Sequence, residues 1–168
     1  VSHQQHFLIM PALAGVRFVV DGEPASLNQI CEPMRLRVVG SVKCLGHMDP
    51  HQGVDLFWEG SRWTSLILEV PAQEQFVCLL VHVTESEDGQ DAKKRKVYQA
   101  RAQTLRRFVR ESEHTVDAPA EDEIAEVHFP QIVDSARGPP TIRTFSRVDH
   151  PARICVGSTD WSHLGGNQ

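Results

Sequence analysis

Two tryptophans beside a run of alternating arginines are the residues of this chain whose types and spacing point most directly to chemistry. Trp58 and Trp63 flank the turn Glu59-Gly60-Ser61-Arg62. An indole that faces outward near a hairpin tip offers a flat surface on which a base can stack, worth about 1–3 kcal/mol per base where it is used. Arg62 beside them, with Arg35, Arg37 and Lys43 upstream, would supply the phosphate contacts of such a platform. The plainer alternative is that one or both indoles cap a hydrophobic core. A second basic element, Lys93-Lys94-Arg95-Lys96, directly follows the acidic stretch ESEDGQDA. Its Lys94, Arg95 and Lys96 suit a phosphate clamp or a nuclear-import address, against the plain alternative of a solvated loop.

Other chemistries find less support. His47, Asp49 and His51 form H-x-D-x-H, and imidazole with carboxylate suits zinc-like ions. No third ligand is anchored nearby, and nine histidines produce such spacings by chance, so a polar connection without metal is expected. Glu85, Glu87 and Asp88 match no cation-binding loop. There is no G-x-S-x-G, no H-E-x-x-H, no recognisable Cys–His frame and no glycine-rich phosphate loop. The expectation is a non-catalytic protein without a cofactor. Cys31, Cys44, Cys78 and Cys155 contain no C-x-x-C pair, which argues against a zinc ribbon or redox motif. Cys44 and Cys78 lie in apolar runs, where a free thiol acts as a small hydrophobe.

The elements that must position these groups read mainly as strands. Residues 34–45, MRLRVVGSVKCL, alternate apolar and polar. That period of two predicts a strand with Met34, Leu36, Val38, Val42 and Cys44 inward and Arg35, Arg37, Ser41 and Lys43 outward. Gly40 interrupts the inward face, which predicts a bulge or sharp bend. Val16 to Val20 predicts an earlier strand, ended by Asp21-Gly22. Residues 54–70, VDLFWEGSRWTSLILEV, predict a hairpin, with Thr64, Leu66, Leu68 and Val70 on one face of its second arm. FVCLLVHVT, residues 76–84, predicts a strand covered on both sides. Residues 97–111 read either as a helix with Leu105, Phe108 and Val109 on its stripe or as a strand that turns helical near Leu105. ESEHTVDAPAEDEIAE, residues 111–126, reads as an acidic linker, and the Pro-rich remainder as extended clusters.

Composition bounds these readings. A chain of 168 residues, 40% hydrophobic and 23% charged, suits one globular domain with extensions. Seventeen Lys and Arg against 22 Asp and Glu leave a net charge of -5, so any contact with nucleic acid must be local. No apolar run approaches the roughly 18 residues of a membrane helix, and the opening residues lack a basic signal-type region. The expected location is nuclear, otherwise cytoplasmic or organellar, and neither secreted nor at a membrane.

The order LRVVGSV, VDLFWEGSRWTSLILEV, FVCLLVHV and VYQARAQTLRRF resembles the OB-fold. It is similar in particular to the small subunits of single-stranded-DNA-binding trimers of the replication protein A and CST telomere-capping type. The resemblance covers about residues 33–112. It implies a mainly β (α+β) fold, a five-stranded Greek-key barrel with a C-terminal helix, between an N-terminal extension (1–32) and an acidic, Pro-rich C-terminal extension (113–168). It also implies that Leu105, Phe108 and Val109 bind a neighbouring subunit, and that the chain works in a nucleic-acid-maintenance assembly with weak contact to single-stranded DNA or RNA. A protein-interaction β-domain with the tryptophans in a peptide groove, and a small hydrolase without a recognisable motif, are the alternatives.

Overall fold

The computed structural model of the chain describes residues 11–22, 34–87 and 104–150. Its strands, in chain order, are β1 (Leu13–Asp21), β2 (Met34–Gly40), β3 (Val54–Asp55), β4 (Phe57–Trp58), β5 (Arg62–Thr64), β6 (Leu68–Pro71) and β7 (Gln75–Glu87). They continue with β8 (Thr104–Arg110), β9 (His114–Asp117), β10 (Glu123–Phe129), β11 (Ile132–Val133), β12 (Ala136–Arg137) and β13 (Thr141–Ser146). Two short 3-10 turns, Lys43–Leu45 and Pro50–Gln52, lie between β2 and β3. The protein is mainly β, and no helix among the described residues is long and apolar enough to cross a membrane.

The first sheet has the order β13-β10-β1-β5-β4, with β6 also on β1. The β1–β10 pair is parallel, with Val16 opposite Ala125 and Phe18 opposite Val127. The second sheet has the order β3-β2-β7-β8, with β9 also on β7. Alternation along each strand sends one set of side chains into a shared core. Val16, Phe18 and Val20 of β1 and Ala125, Val127 and Phe129 of β10 meet Leu36 and Val38 of β2 and Phe76, Cys78 and Leu80 of β7. The opposite face of β7 carries Leu79, Val81 and Val83 into a second cluster with Val39, Met48 and Phe108. The strand predicted to be covered on both sides is therefore covered on both sides.

The hairpin at residues 54–70 is broken where the sequence reads as continuous. Val20 lies opposite Trp63 and Val19 opposite Thr64, but Val16 lies opposite Leu68. Three residues, Ser65 to Ile67, thus face two on β1, a one-residue bulge that moves Trp63 to the same side as Leu68 and Val70. Ser65 holds the bulge: its amide donates to the Phe18 carbonyl at 2.9 Å, and its Oγ accepts from the Phe18 amide at 2.9 Å. Leu66, expected to share a face with Thr64, Leu68 and Val70, is 68% exposed while Thr64 and Val70 are buried. Ser65→Ala strips a buried amide of its acceptor and is expected to cost about 1–3 kcal/mol. A urea midpoint shifted downward at unchanged m-value is the measurement.

Further expectations are corrected. The strand predicted over residues 34–45 stops at Gly40, where a Cβ would lie 2.4 Å from the Val77 carbonyl oxygen and 2.6 Å from Leu45. Ser41 continues the tie, with its amide on the Val77 carbonyl and its Oγ accepting from the Val77 amide, each at 2.9 Å. The chain therefore turns away at Gly40, β2 pairs only with β3 and β7, and no sheet among the described residues closes into a barrel. The helix expected near Leu105 is a strand at Thr104–Arg110, because the backbone of β7 extends to Glu87 and pairs with it throughout. The acidic linker holds β9 and the first half of β10, and β10 lies between β1 and β13. The centre of the first sheet is thus built from segments expected to flank the domain. No C-terminal helix occurs among the described residues.

Candidate functional site

The outer face of the second sheet gathers arginines in rows set by the strand register. Arg37, Val81 and Arg110 form one row across β2, β7 and β8, and Arg35, Val83 and Phe108 form the next. Arg106 lies opposite Glu85 on the same face. Glu85 Oε1 accepts from Arg35 at 2.7 Å and from Arg106 at 3.1 Å, so one carboxylate holds two guanidinium groups. Asp55 lies 3.8 Å from Arg35 and bonds Arg37 Nε at 2.7 Å. Three arginines, Arg35, Arg37 and Arg106, thus share two carboxylates; Arg110 on the same face, and Arg107 on the opposite face, form no ion pair among the described residues. Arg106, Arg107 and Arg110 are all exposed on β8, which pairs only with β7 among the described strands.

The residues singled out in the sequence do not converge on one place. Arg35 belongs to the arginine face, with 46% of its side chain exposed. Arg37 is on that face but buried, saturated by Asp55 and by the Pro50 carbonyl at 2.6 Å. Lys43 sits on the first 3-10 turn instead of a strand, because β2 has already ended. Trp58 and Trp63 belong to the other sheet, opposite each other with rings 5.6 Å apart at 60°. Trp63 packs against the core, and its buried Nε1 has no hydrogen-bond partner. Arg62 lies 4.0 Å from Glu59, which also faces Arg17 at 3.6 Å. Lys94, Arg95 and Lys96 lie outside the described residues, in the connection between β7 and β8. Phe108 is half-buried on the second cluster, against His51 at 4.6 Å, and Val109 is 60% exposed. Leu105 pairs through its backbone with Ser86, and its side chain is outside the described set.

Arg106 and Arg110 join this face although the sequence analysis does not single them out. Their signal was present in TLRRFVR, where a strand register puts Arg106, Phe108 and Arg110 on one face. The competing helical stripe drew attention to Leu105, Phe108 and Val109.

Two carboxylate–histidine clusters, one half-buried and one buried, were equally hidden, since most of their members are far apart in the chain. Glu111, just after β8, bonds His82 of β7 through Oε2 and Arg137 of β12 through Oε1 at 2.7 Å. Burial alone would raise the Glu111 pKa, but hydrogen bonds and charge from His82 and Arg137 outweigh it and hold the carboxyl below its ordinary value. Glu126 of β10 receives His128 at 2.9 Å and His150 at 2.6 Å, with Arg17 at 3.6 Å, and the same balance lowers its pKa. Neither His82 nor His128 bonds a Ser, Thr or Cys among the described residues. Burial pushes the Cys78 thiol up to about 12, leaving it protonated in the core. In the H-x-D-x-H stretch, Asp49 accepts from the His51 amide at 3.0 Å and His47 Nδ1 meets the Ser41 carbonyl at 3.1 Å. No group of three or more His, Cys, Asp or Glu among the described residues is placed to hold a metal.

Fold and side chains together define a mainly β protein of two larger sheets and a two-stranded β11–β12 sheet, with an arginine-bearing outer face. No protein-family model matches the chain, and no curated protein matches it. Among solved structures, a family 15 glycoside hydrolase glucoamylase from Hypocrea jecorina is similar at a TM-score of 0.43 and 15% identity. The match covers 74% of this chain and 18% of the glucoamylase chain, so this chain spans under a fifth of that protein's length. At that level of similarity the match carries neither fold nor activity.

Proposed function

We propose that this chain is a non-catalytic β subunit of a nucleic-acid-maintenance assembly that contacts single-stranded DNA or RNA weakly through the arginine face of its second sheet. The observation that supports this reading is the exposed edge strand β8, with Arg106 beside Arg35 on Glu85 and with Arg110 on the same face, free of ion pairs among the described residues. Guanidinium forks suit phosphate oxygens, and a local stripe can bind a polyanion although the whole chain carries -5. Trp63 enters this reading as core packing, and Trp58, beside it, is not needed as a stacking platform.

Fluorescence anisotropy with labelled oligothymidylate and oligouridylate, across a salt series, tests it. Each phosphate contact contributes roughly 0.7 to the slope of log K against log salt for single strands. Arg106→Ala/Arg110→Ala should therefore flatten that slope by about 1.4 and weaken binding to both sequences alike. Trp58→Ala should leave the slope unchanged. No salt-dependent binding at low ionic strength would sink the proposal.

The second reading, a protein-interaction β-domain, is favoured by one observation. Strand β13 pairs only with β10 among the described residues, and five of its six residues are exposed, Ile142 included. Such an edge can accept a further strand.

A further inference from the structure

At the junction of the two sheets lies a cleft of about 620 Å³. Leu13 of β1 and Pro71 of β6 form one wall, and Val42 and Cys44 at the first 3-10 turn form the other. The lining is predominantly apolar, and both volume and character fall within the range of small-molecule sites, about 300–1,000 Å³ with few polar groups. Three ionisable side chains, those of Lys43, His47 and Glu69, also line it. Glu69 is already faced by Arg147 at 3.9 Å, whereas exposed Lys43 has no carboxylate partner among the described residues.

The rim beside Lys43 is held in a costly shape. Gly46, His47 and Met48 are successive residues at φ of 82°, 50° and 67°. For non-glycine residues the left-handed region costs about 1–3 kcal/mol each and persists only where neighbours over-determine it. Here the Met48 amide donates to the Gly40 carbonyl at 2.7 Å, and the His47 amide to the Val42 carbonyl at 3.3 Å. The rim is therefore preorganised by backbone hydrogen bonds, so little ordering remains to oppose binding.

We propose that this cleft binds a small amphipathic carboxylate, its alkyl body against Leu13, Val42 and Pro71 and its head at the Lys43 amine. Charge complementarity selects the head: the one cation at the cleft without an ion pair is unmatched, while the one carboxylate is engaged. The proposal is independent of the arginine face, which shares no residue with the cleft.

Isothermal titration calorimetry with octanoate, octylamine and acetate tests it on the unaltered protein. Octanoate is expected to bind saturably, acetate not to bind, and octylamine to bind more weakly. The exposed-site variant Lys43→Glu should weaken octanoate by about five- to tenfold and strengthen octylamine. Octanoate should also slow alkylation of half-buried Cys44 by iodoacetamide, read by peptide mass spectrometry. Absence of saturable octanoate binding, an octanoate affinity indifferent to Lys43→Glu, or a Cys44 reaction rate unchanged by octanoate would each overturn the proposal.

Discussion

Replacing Glu111 with alanine is expected to lower the unfolding free energy by about 3 kcal/mol, a large part of the roughly 5–15 kcal/mol available to a domain. The carboxylate joins three elements. It meets His82 from β7, follows the end of β8, and receives Arg137 from the β11–β12 hairpin through Nε at 2.7 Å and Nη2 at 3.3 Å. Arg137 has only 3% of its side chain exposed and also donates to the Pro130 carbonyl at 2.5 Å. Removing Glu111 takes from that buried guanidinium the carboxylate that both its Nε and Nη2 reach, and weaker compensation of a buried charge is the costly event. Urea denaturation at neutral pH measures it; a loss under 1 kcal/mol would show that the cluster is not a tie between the hairpin and the sheet.

The same residue sets a pH dependence whose sign is determined. The folded-state pKa of Glu111 lies below the ordinary carboxyl value of 4.5, so the unfolded chain binds its proton more readily. The stabilisation is complete above the unfolded value and is lost as pH falls through the depressed folded value. Glu126 is shifted in the same direction and adds to the same acid limb. The difference in stability between wild type and Glu111→Gln should therefore be widest near neutrality and narrow below about pH 4.5. A difference that widens on acidification would contradict the assignment.

Phe18→Ala is the second large effect, expected at about 3–5 kcal/mol. Phe18 is fully buried on β1, and its ring lies 6.3 Å from that of Phe129 of β10 at 25°. The backbone around it cannot easily collapse into the vacated space. Its amide is held by Ser65 Oγ, its carbonyl by the Ser65 amide, and its strand by β10 on the other side. The cavity cost therefore adds to the lost transfer energy. Phe18→Leu, which keeps most of the volume, should cost under about 1.5 kcal/mol. Equal losses for the two variants would mean that ring volume between the sheets is not what Phe18 supplies.

Local pattern carried part of this architecture and missed another part for identifiable reasons. The two-sided strand β7 was legible because FVCLLVHV has apolar residues in both parities, and both faces are covered. The outward direction of Arg35 and Arg37 was legible from strict alternation. Strand β10 was not, because Glu126 and His128 alternate with Ala125, Val127 and Phe129 in a stretch whose acidity mimics a solvated linker. Glu126 is buried among Arg17, His128 and His150, which are its ion-pair and hydrogen-bond partners, and two of those residues are remote in sequence. The bulge at Ser65 was hidden because its effect, turning Trp63 toward the core, depends on register with β1.

By itself the sequence determined what short-range chemistry dictates: a predominantly β chain, the inward and outward parity of β2 as far as Gly40, the two-sided character of β7, and an acidic whole with basic segments. Only the tertiary structure decided which strands are neighbours. Parallel pairing of β1 with β10, across more than a hundred residues, has no local signature, because parallel strands are joined by long connections whose ends the sequence does not mark. Gly40 illustrates the division. Its presence in an alternating strand announced a departure from regularity, but whether that meant a bend within a barrel or the end of a strand depended on the Val77 carbonyl and Leu45 lying where its side chain would have been. The arginine face arose the same way: β7 sets Arg35 and Arg106 on one carboxylate, a meeting made by strand register and by no motif.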